Sequence, residues 1–142
     1  MIRFLHATFC DDVRLEAGNK LSYMGCYSGQ MVVASFPTIL PKFCVVMSAS
    51  TLYSKPFEEL KFVLFNNDDV IAERVHSTQK VAIPEGMEGE EMRLLAVQVI
   101  QLFPFQLTAP CKLRARAYTE DGELKGGTLI VTDTAQPTPP TP

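Results

Sequence analysis

The stretch that decides the fold is Cys10-Asp-Asp-Val-Arg-Leu-Glu-Ala-Gly-Asn-Lys-Leu-Ser-Tyr-Met-Gly-Cys-Tyr27. Polar and apolar residues alternate on both sides of Gly18-Asn19, a dipeptide that tolerates the left-handed backbone of a tight turn. A period of two is typical of a strand that is buried on one face. The stretch therefore predicts a charged β-hairpin that closes a first strand, packs Cys10 inward and sets the register of the strands that follow.

Short alternating runs separated by Gly, Pro, Asn and Asp continue along the rest of the chain. Two more hairpins are predicted around Asn66-Asn-Asp-Asp69 and Glu120-Asp-Gly-Glu123, whose residues favour tight turns. Regular spacing of short strands is typical of an all-β fold, and we predict an antiparallel immunoglobulin-like β-sandwich. The candidate strands are Arg3–Cys10, Val13–Ala17, Lys20–Tyr27, Phe43–Leu52, Leu60–Asn66, Val70–His76, Arg93–Phe103, Cys111–Thr119 and Leu124–Thr132.

The length of 142 residues fits one domain. We assign residues 1–133 to this single β-sandwich domain. The Pro- and Thr-rich end, residues 134–142, is predicted to be a disordered C-terminal tail, because such a composition cannot form a packed core. Phe36-Pro-Thr-Ile-Leu-Pro41 is predicted to be a loop, since each proline removes a backbone donor.

Charge and hydropathy exclude several classes of protein. The net charge is −3 and the pI is near 5.4, so no overall positive field attracts nucleic acid or an anionic membrane. No apolar run approaches the roughly 20 residues of a membrane-spanning helix. Asp11 and Asp12 arrive too early for the apolar segment of a signal peptide. We therefore expect a cytoplasmic protein without a membrane partner.

The four cysteines, Cys10, Cys26, Cys44 and Cys111, lie far apart in the sequence. None forms the close pair that zinc sites use, and each lies in an apolar, strand-like run. We expect all of them to be buried free thiols. No phosphate-binding loop, dinucleotide fingerprint or metalloprotease motif occurs, so no cofactor is predicted.

Asp11, Asp12 and Glu16 are the candidates for a metal or acid-base site. Neighbouring carboxylates bind hard cations, or separate their pKa values for proton transfer. The same residues also suit a purely structural role, because they alternate with Arg14 and Lys20 for charge pairing across the hairpin. Both interpretations stay open at this point.

Lys112, Arg114 and Arg116 are the candidates for binding an anion or nucleic acid. They alternate with apolar residues, which predicts that one strand presents three bases in a row. A row of this kind is either the ordinary solvent-exposed face of an antiparallel sheet or a positively charged surface that attracts polyanions.

The N-terminal block also resembles a known group of sequences. Cys10-Asp-Asp, Arg14, Glu16, Gly18-Asn-Lys, Ser22, Gly25 and Tyr27 form a pattern that is continued by Phe36-Pro and Leu40-Pro-Lys. This pattern resembles a family of small uncharacterised bacterial proteins. The resemblance implies a bacterial, cytoplasmic domain and assigns no activity, cofactor or catalytic residue.

We expect a non-catalytic binding or assembly module whose partner is another protein or a second copy. His6 and His76 lie in strand patterns outside any catalytic motif. The segment Arg93–Phe103 is apolar on both faces, so it is predicted to be central in its sheet or covered by a loop or partner. The alternatives are a small metal-dependent or acid-base enzyme at the acidic cluster, and anion or nucleic-acid binding at the basic row.

Overall fold

The computed structural model of the protein describes residues 3–78, 85 and 92–134. Every regular element in these ranges is a β-strand, so the predicted all-β class is confirmed. The strands are β1 (Phe4–Glu16), β2 (Lys20–Cys26), β3 (Gln30–Val33), β4 (Thr38–Leu40), β5 (Phe43–Leu52), β6 (Leu60–Asn66), β7 (Asp69–Val75), β8 (Arg93–Leu102), β9 (Phe105–Leu107), β10 (Cys111–Thr119) and β11 (Gly122–Asp133).

The strands form three sheets. Sheet A has the order β2-β1-β5-β8, sheet B has the order β3-β11-β10-β6-β7, and β4 pairs with β9 in a small third sheet. All pairs are antiparallel except β3 with β11, which is parallel. The two halves of β1 pair with different strands. Residues Phe4–Cys10 pair with β5, and residues Cys10–Glu16 pair with β2.

The two larger sheets share one hydrophobic core. Alternate residues of β5 point inward, and they meet the inward side chains of β6 and β10 in a single buried cluster. Phe43 lies at its centre, with its ring centroid 6.3 Å from Phe9 and 5.2 Å from Phe105. Burial of such large side chains is worth about 2 kcal/mol each, so this cluster holds the sheets together. The largest fully buried members include Phe43, Phe62, Met47, Leu64, Ile100, Leu113 and Leu129.

The three hairpins that were predicted from turn-forming residues are present in the structure. β6 and β7 join at Asn67, which has a φ of 54°, and β10 and β11 join at Glu120-Asp121, followed by Gly122. The first hairpin is confirmed around Gly18-Asn19, although β1 is one continuous strand rather than two. It stays continuous because it changes partner at Cys10 without a break in its extended backbone.

The short strands were missed. β3 has four residues, and β4 and β9 have three each, too few for a periodic pattern to be recognised. The predicted loop at 36–41 in fact contains β4, because two prolines bracket a segment that still pairs with β9.

The sequence predicts that the segment around β8 is central in its sheet or covered by a loop or partner. The central position is not found, because β8 is the last strand of sheet A in the described structure, and the covering loop or partner stays a prediction. Burial is correctly predicted for Cys10, Cys44 and Cys111, but Cys26 is exposed on the edge strand β2.

The predicted tail lies outside the described residues except for Thr134. The backbone N–H of Thr134 donates to Val33 at 3.1 Å, and its hydroxyl donates to the Ala34 carbonyl at 3.0 Å. Within the part of the chain that the structure describes, no helix has the length and apolar character needed to cross a membrane.

Candidate functional site

The base of the β1–β2 hairpin is fixed by a carboxylate, a glycine and a phenol. Asp11 Oδ1 accepts a hydrogen bond of 2.5 Å from the Tyr27 hydroxyl. The Asp11 side chain lies over Gly25, whose φ of 67° and missing Cβ leave room for the carboxylate. Burial and this hydrogen bond raise the pKa of Tyr27, so the phenol stays protonated and remains a donor.

Asp12 has different partners. Its Oδ1 lies 2.7 Å from Lys42 Nζ and also accepts the backbone N–H of Val13 at 2.9 Å. The hydrogen bond from Lys42 lowers the pKa of Asp12 and raises that of Lys42. Asp12 is therefore a charged half of an exposed ion pair, which contributes little to stability.

Glu16 lies at the far end of the hairpin, directly opposite Lys20. The three predicted carboxylates thus have three separate environments. In the described ranges, no three His, Cys, Asp or Glu side chains are arranged to hold a metal ion. The structure brings together Asp11 with Tyr27 and Asp12 with Lys42, but it does not bring Asp11, Asp12 and Glu16 to one point.

The three basic residues of β10, Lys112, Arg114 and Arg116, also differ in their exposure to solvent. Lys112 is exposed and Arg114 is half-buried, but Arg116 is buried with only 7% exposure. The register of β10 against β11 shifts between Ala115 and Arg116, which is the mark of a β-bulge. Strand β11 has the extra residue at this point, whereas β10 stays in register with β6, so alternation along β10 is unbroken. Arg116 lies on the same face of β10 as Lys112 and Arg114, but it is buried, so the three bases do not form one solvated row.

The partners of Arg114 and Arg116 are within the protein. Arg114 Nη1 donates to the Asn67 carbonyl at 3.1 Å and lies 3.2 Å from Asp68 Oδ1. Arg116 Nη1 donates to the Ala115 carbonyl at 2.7 Å, while its Nε lies 3.7 Å from Glu123 Oε1.

An open groove of about 580 Å³ runs beside Lys112 and Arg114 and contains Asp68. Its charge is mixed, which is a poor match for a polyanion.

A buried arginine that the sequence analysis did not single out anchors one end of the fold. Arg3 lies 2.8 Å from Glu120 Oε2, and its Nε donates to Thr51 Oγ1 at 3.0 Å. Burial alone would raise the pKa of Glu120, but Arg3 and the backbone N–H groups of Glu58 and Glu59 lower it to about 2. This network joins the start of β1 to the β10–β11 turn, and no sequence signal relates residues so far apart.

Strand β8 presents the most distinctive surface. It pairs with β5 along its whole length, from Arg93 to Leu102, and is the last strand of sheet A among the described residues. Leu95 is 62% exposed and Val97 is 39% exposed. Adjacent large apolar side chains on an exposed edge strand are characteristic of a contact surface.

These features define an all-β protein in which two sheets of mostly antiparallel strands share a core. Among the described residues, the apolar strand β8 forms one edge of sheet A. Residues 5–132 match the model of a family of unknown function, DUF6941, and the chain belongs to that family. Among curated proteins, none matches the chain.

Proposed function

We propose that the protein is a non-catalytic binding or assembly module that pairs with a second copy of itself through β8. The observation that carries this proposal is that β8 is an edge strand in the described part of the chain and that Leu95 and Val97 on it are exposed. An edge strand offers backbone donors and acceptors to another strand, and apolar side chains on that strand gain free energy when they are covered.

Two other edge strands of the larger sheets, β7 and β3, are less suited to pairing. Strand β7 carries Asp69, Glu73 and Arg74, and charges of this kind protect an edge against association. Strand β3 has only four residues. Strand β8, in contrast, has ten residues, and its one charge is Arg93 at its first position.

A second copy is the partner that suits this strand best. The exposed side chains Leu95 and Val97 are uncharged, so they favour no partner of a particular charge. Two identical strands can pair antiparallel about a two-fold axis, which buries the same patch on both copies and closes the assembly. The four strands of sheet A would then continue into the sheet of the partner.

We also infer that sheets A and B form an immunoglobulin-like sandwich in a bacterial, cytoplasmic protein. Their shared core supports the sandwich. The resemblance of the Cys10–Tyr27 block supports the bacterial origin. Free thiols at all four cysteines are the state that a reducing cytoplasm maintains. The acidic cluster supports an enzyme less well, since its carboxylates have separate partners.

Sedimentation velocity over a wide range of protein concentration tests the proposal. The unaltered protein should shift from monomer to dimer as the concentration rises. Leu95→Glu should abolish the dimer, because it places two like charges in a contact that excludes water. Val75→Glu is the matched control, since Val75 is 79% exposed on the edge strand β7 of the other sheet.

The control variant should dimerise like the unaltered protein. A strict monomer at every concentration would contradict the proposal, as would equal weakening by both variants. Circular dichroism of each variant verifies that the fold is intact.

A further inference from the structure

Three of the four cysteines lie side by side in sheet A. Cys10 on β1 is directly opposite Cys26 on β2, and it is also directly opposite Cys44 on β5. Residues directly opposite each other in antiparallel strands point to the same face of the sheet. Cys26, Cys10 and Cys44 therefore form a row of thiols across three neighbouring strands.

The backbone bonding identifies which two thiols are closer. The N–H of Tyr27 donates to the carbonyl of Phe9 at 2.8 Å. This bond joins the residue after Cys26 to the residue before Cys10, so the two cysteines form a non-hydrogen-bonded pair. The Cα atoms of such a pair are about 4.5 Å apart, within the roughly 4.4–6.8 Å that a disulfide spans.

Cys10 and Cys44 form the other type of pair. The N–H and C=O groups of a strand residue point to the same neighbouring strand, so those of Cys10 point toward Cys44 rather than Cys26. The Cα atoms of a hydrogen-bonded pair are about 5.5 Å apart and its side chains are less close. Cys26 is therefore the nearer partner of Cys10.

The sulfurs of Cys26 and Cys10 differ in their access to solvent. Cys26 is exposed, whereas Cys10 and Cys44 are fully buried. Burial, with contributions from the neighbouring thiols, raises the pKa of Cys10 to about 12. Cys10 therefore stays protonated near neutral pH, and Cys26 is the sulfur of this pair that a dissolved oxidant reaches.

We propose that Cys26 and Cys10 form a hydroperoxide-responsive dithiol in which Cys26 is oxidised first and Cys10 resolves it to a disulfide. The Cys26 thiolate attacks the peroxide and breaks its O–O bond, giving a sulfenic acid and an alkoxide or hydroxide that takes up the proton lost by the thiol. The Cys10 sulfur then attacks the sulfenic sulfur. The S–S bond forms, the S–O bond breaks, and the hydroxyl leaves with the Cys10 proton as water.

The two thiols together supply the two electrons that reduce the peroxide to an alcohol, or to water, and a second water. The disulfide would tie the edge strand β2 to β1 at the base of the hairpin, on the opposite edge of sheet A from β8. The inference is thus independent of the proposed dimer contact.

Treatment of the reduced full-length protein with hydrogen peroxide tests the proposal. Peptide mass spectrometry under non-reducing conditions should detect a Cys10–Cys26 crosslink, and the denatured protein should have lost two titratable thiols. Cys26→Ser should lose no thiols at the same peroxide dose. Cys10→Ala should instead accumulate a sulfenic acid at Cys26 that dimedone traps.

Cys111→Ser is the matched control, because Cys111 is buried in sheet B, and it should form the crosslink like the unaltered protein. The crosslink in the unaltered protein does not depend on the folding of any variant. The proposal is overturned if that protein gives no Cys10–Cys26 crosslink, or if Cys26→Ser loses thiols as readily as the unaltered protein.

Discussion

The contact between Arg3 and Glu120 shows how one buried base organises several segments. Arg3 also donates to the carbonyl oxygens of Lys55 and Pro56, at 3.2 and 3.0 Å, and its guanidinium lies 4.6 Å from the centroid of the Phe57 ring. A buried guanidinium needs such complete pairing, because each unsatisfied donor in an apolar environment costs free energy.

Glu120→Gln should lower the free energy of unfolding by about 2 kcal/mol at pH 7, the typical worth of a charged hydrogen bond. The pKa of Glu120 lies near 2, below its ordinary value of 4.5, so its contribution is full above about pH 4.5 and is lost as the pH falls toward 2. The difference in the free energy of unfolding between the variant and the unaltered protein should therefore disappear at low pH. Denaturant unfolding at pH 7 and at low pH measures it.

The control for this prediction is Glu16→Gln, which removes the same charge from an exposed position on the β1–β2 hairpin. It should change the unfolding free energy by less than about 0.5 kcal/mol. An effect of Glu120→Gln that is equally large at both pH values would contradict the role given to its charge.

Gly25→Ala should destabilise the protein by more than Gly29→Ala does. Both glycines have positive φ, which costs an alanine about 1–2 kcal/mol. Only at Gly25 would the new Cβ also collide with the Asp11 carboxylate, since Gly29 has open space around it. Displacing Asp11 from Tyr27 should add about 1 kcal/mol. Equal losses in thermal unfolding would refute this steric account.

Single residues were the least predictable part of the molecule. The positive φ of Asn19 at the first turn follows from its chemistry. The burial of Arg116 does not, because alternation along β10 identifies the face on which Arg116 lies but not what covers that face. The separation of Asp11 from Asp12 also depends on contacts with Tyr27 and Lys42, which no local pattern encodes.

The β1–β2 hairpin has two structurally different parts. Up to Cys10, β1 has β5 on one side, but from there to Glu16 it pairs only with β2. A two-stranded ribbon is marginally stable by itself. Leu15 at the outer part is 73% exposed, so little burial supports that end.

Amide hydrogen exchange should therefore be faster at residues 13–16 than at residues 5–9 of the same strand. The outer part opens without disturbing the core, whereas the inner part exchanges only when sheet A separates. Residue-resolved NMR under native conditions measures both. Equal protection along β1 would mean that something else covers the outer ribbon.

Elements with strong turn signals at their ends were predicted closely. The bounds of β5, β6 and β10 agree with the sequence prediction, because apolar or alternating runs of seven to ten residues end there in turn residues. Strands β4 and β9 could not be predicted, since each is stabilised by the other rather than by a local pattern.

The whole molecule depends on how closely sheets A and B approach. At Gly126 on β11, an added Cβ would lie 2.7 Å from Leu5 Cδ2 on β1, so either the buried Leu5 side chain or the strands themselves would have to move. The all-β class follows from the periodicity of the sequence. The order of strands does not, because alternation identifies faces but not neighbours.

The apolar character of β8 on both faces suggested a central strand, whereas the described structure places it at an edge. The sequence prediction had also allowed a covering partner. An exposed apolar edge is the arrangement that such a partner would cover, and we propose that a second copy of the chain is that partner.

Residue-resolved amide exchange of the unaltered protein at low and high concentration tests that claim most directly. Within β8, amides that point away from β5 should become more protected as the concentration rises, because pairing with a second copy gives them acceptors. Amides of the edge strand β7 should not change. Concentration-independent exchange throughout β8 would contradict the account.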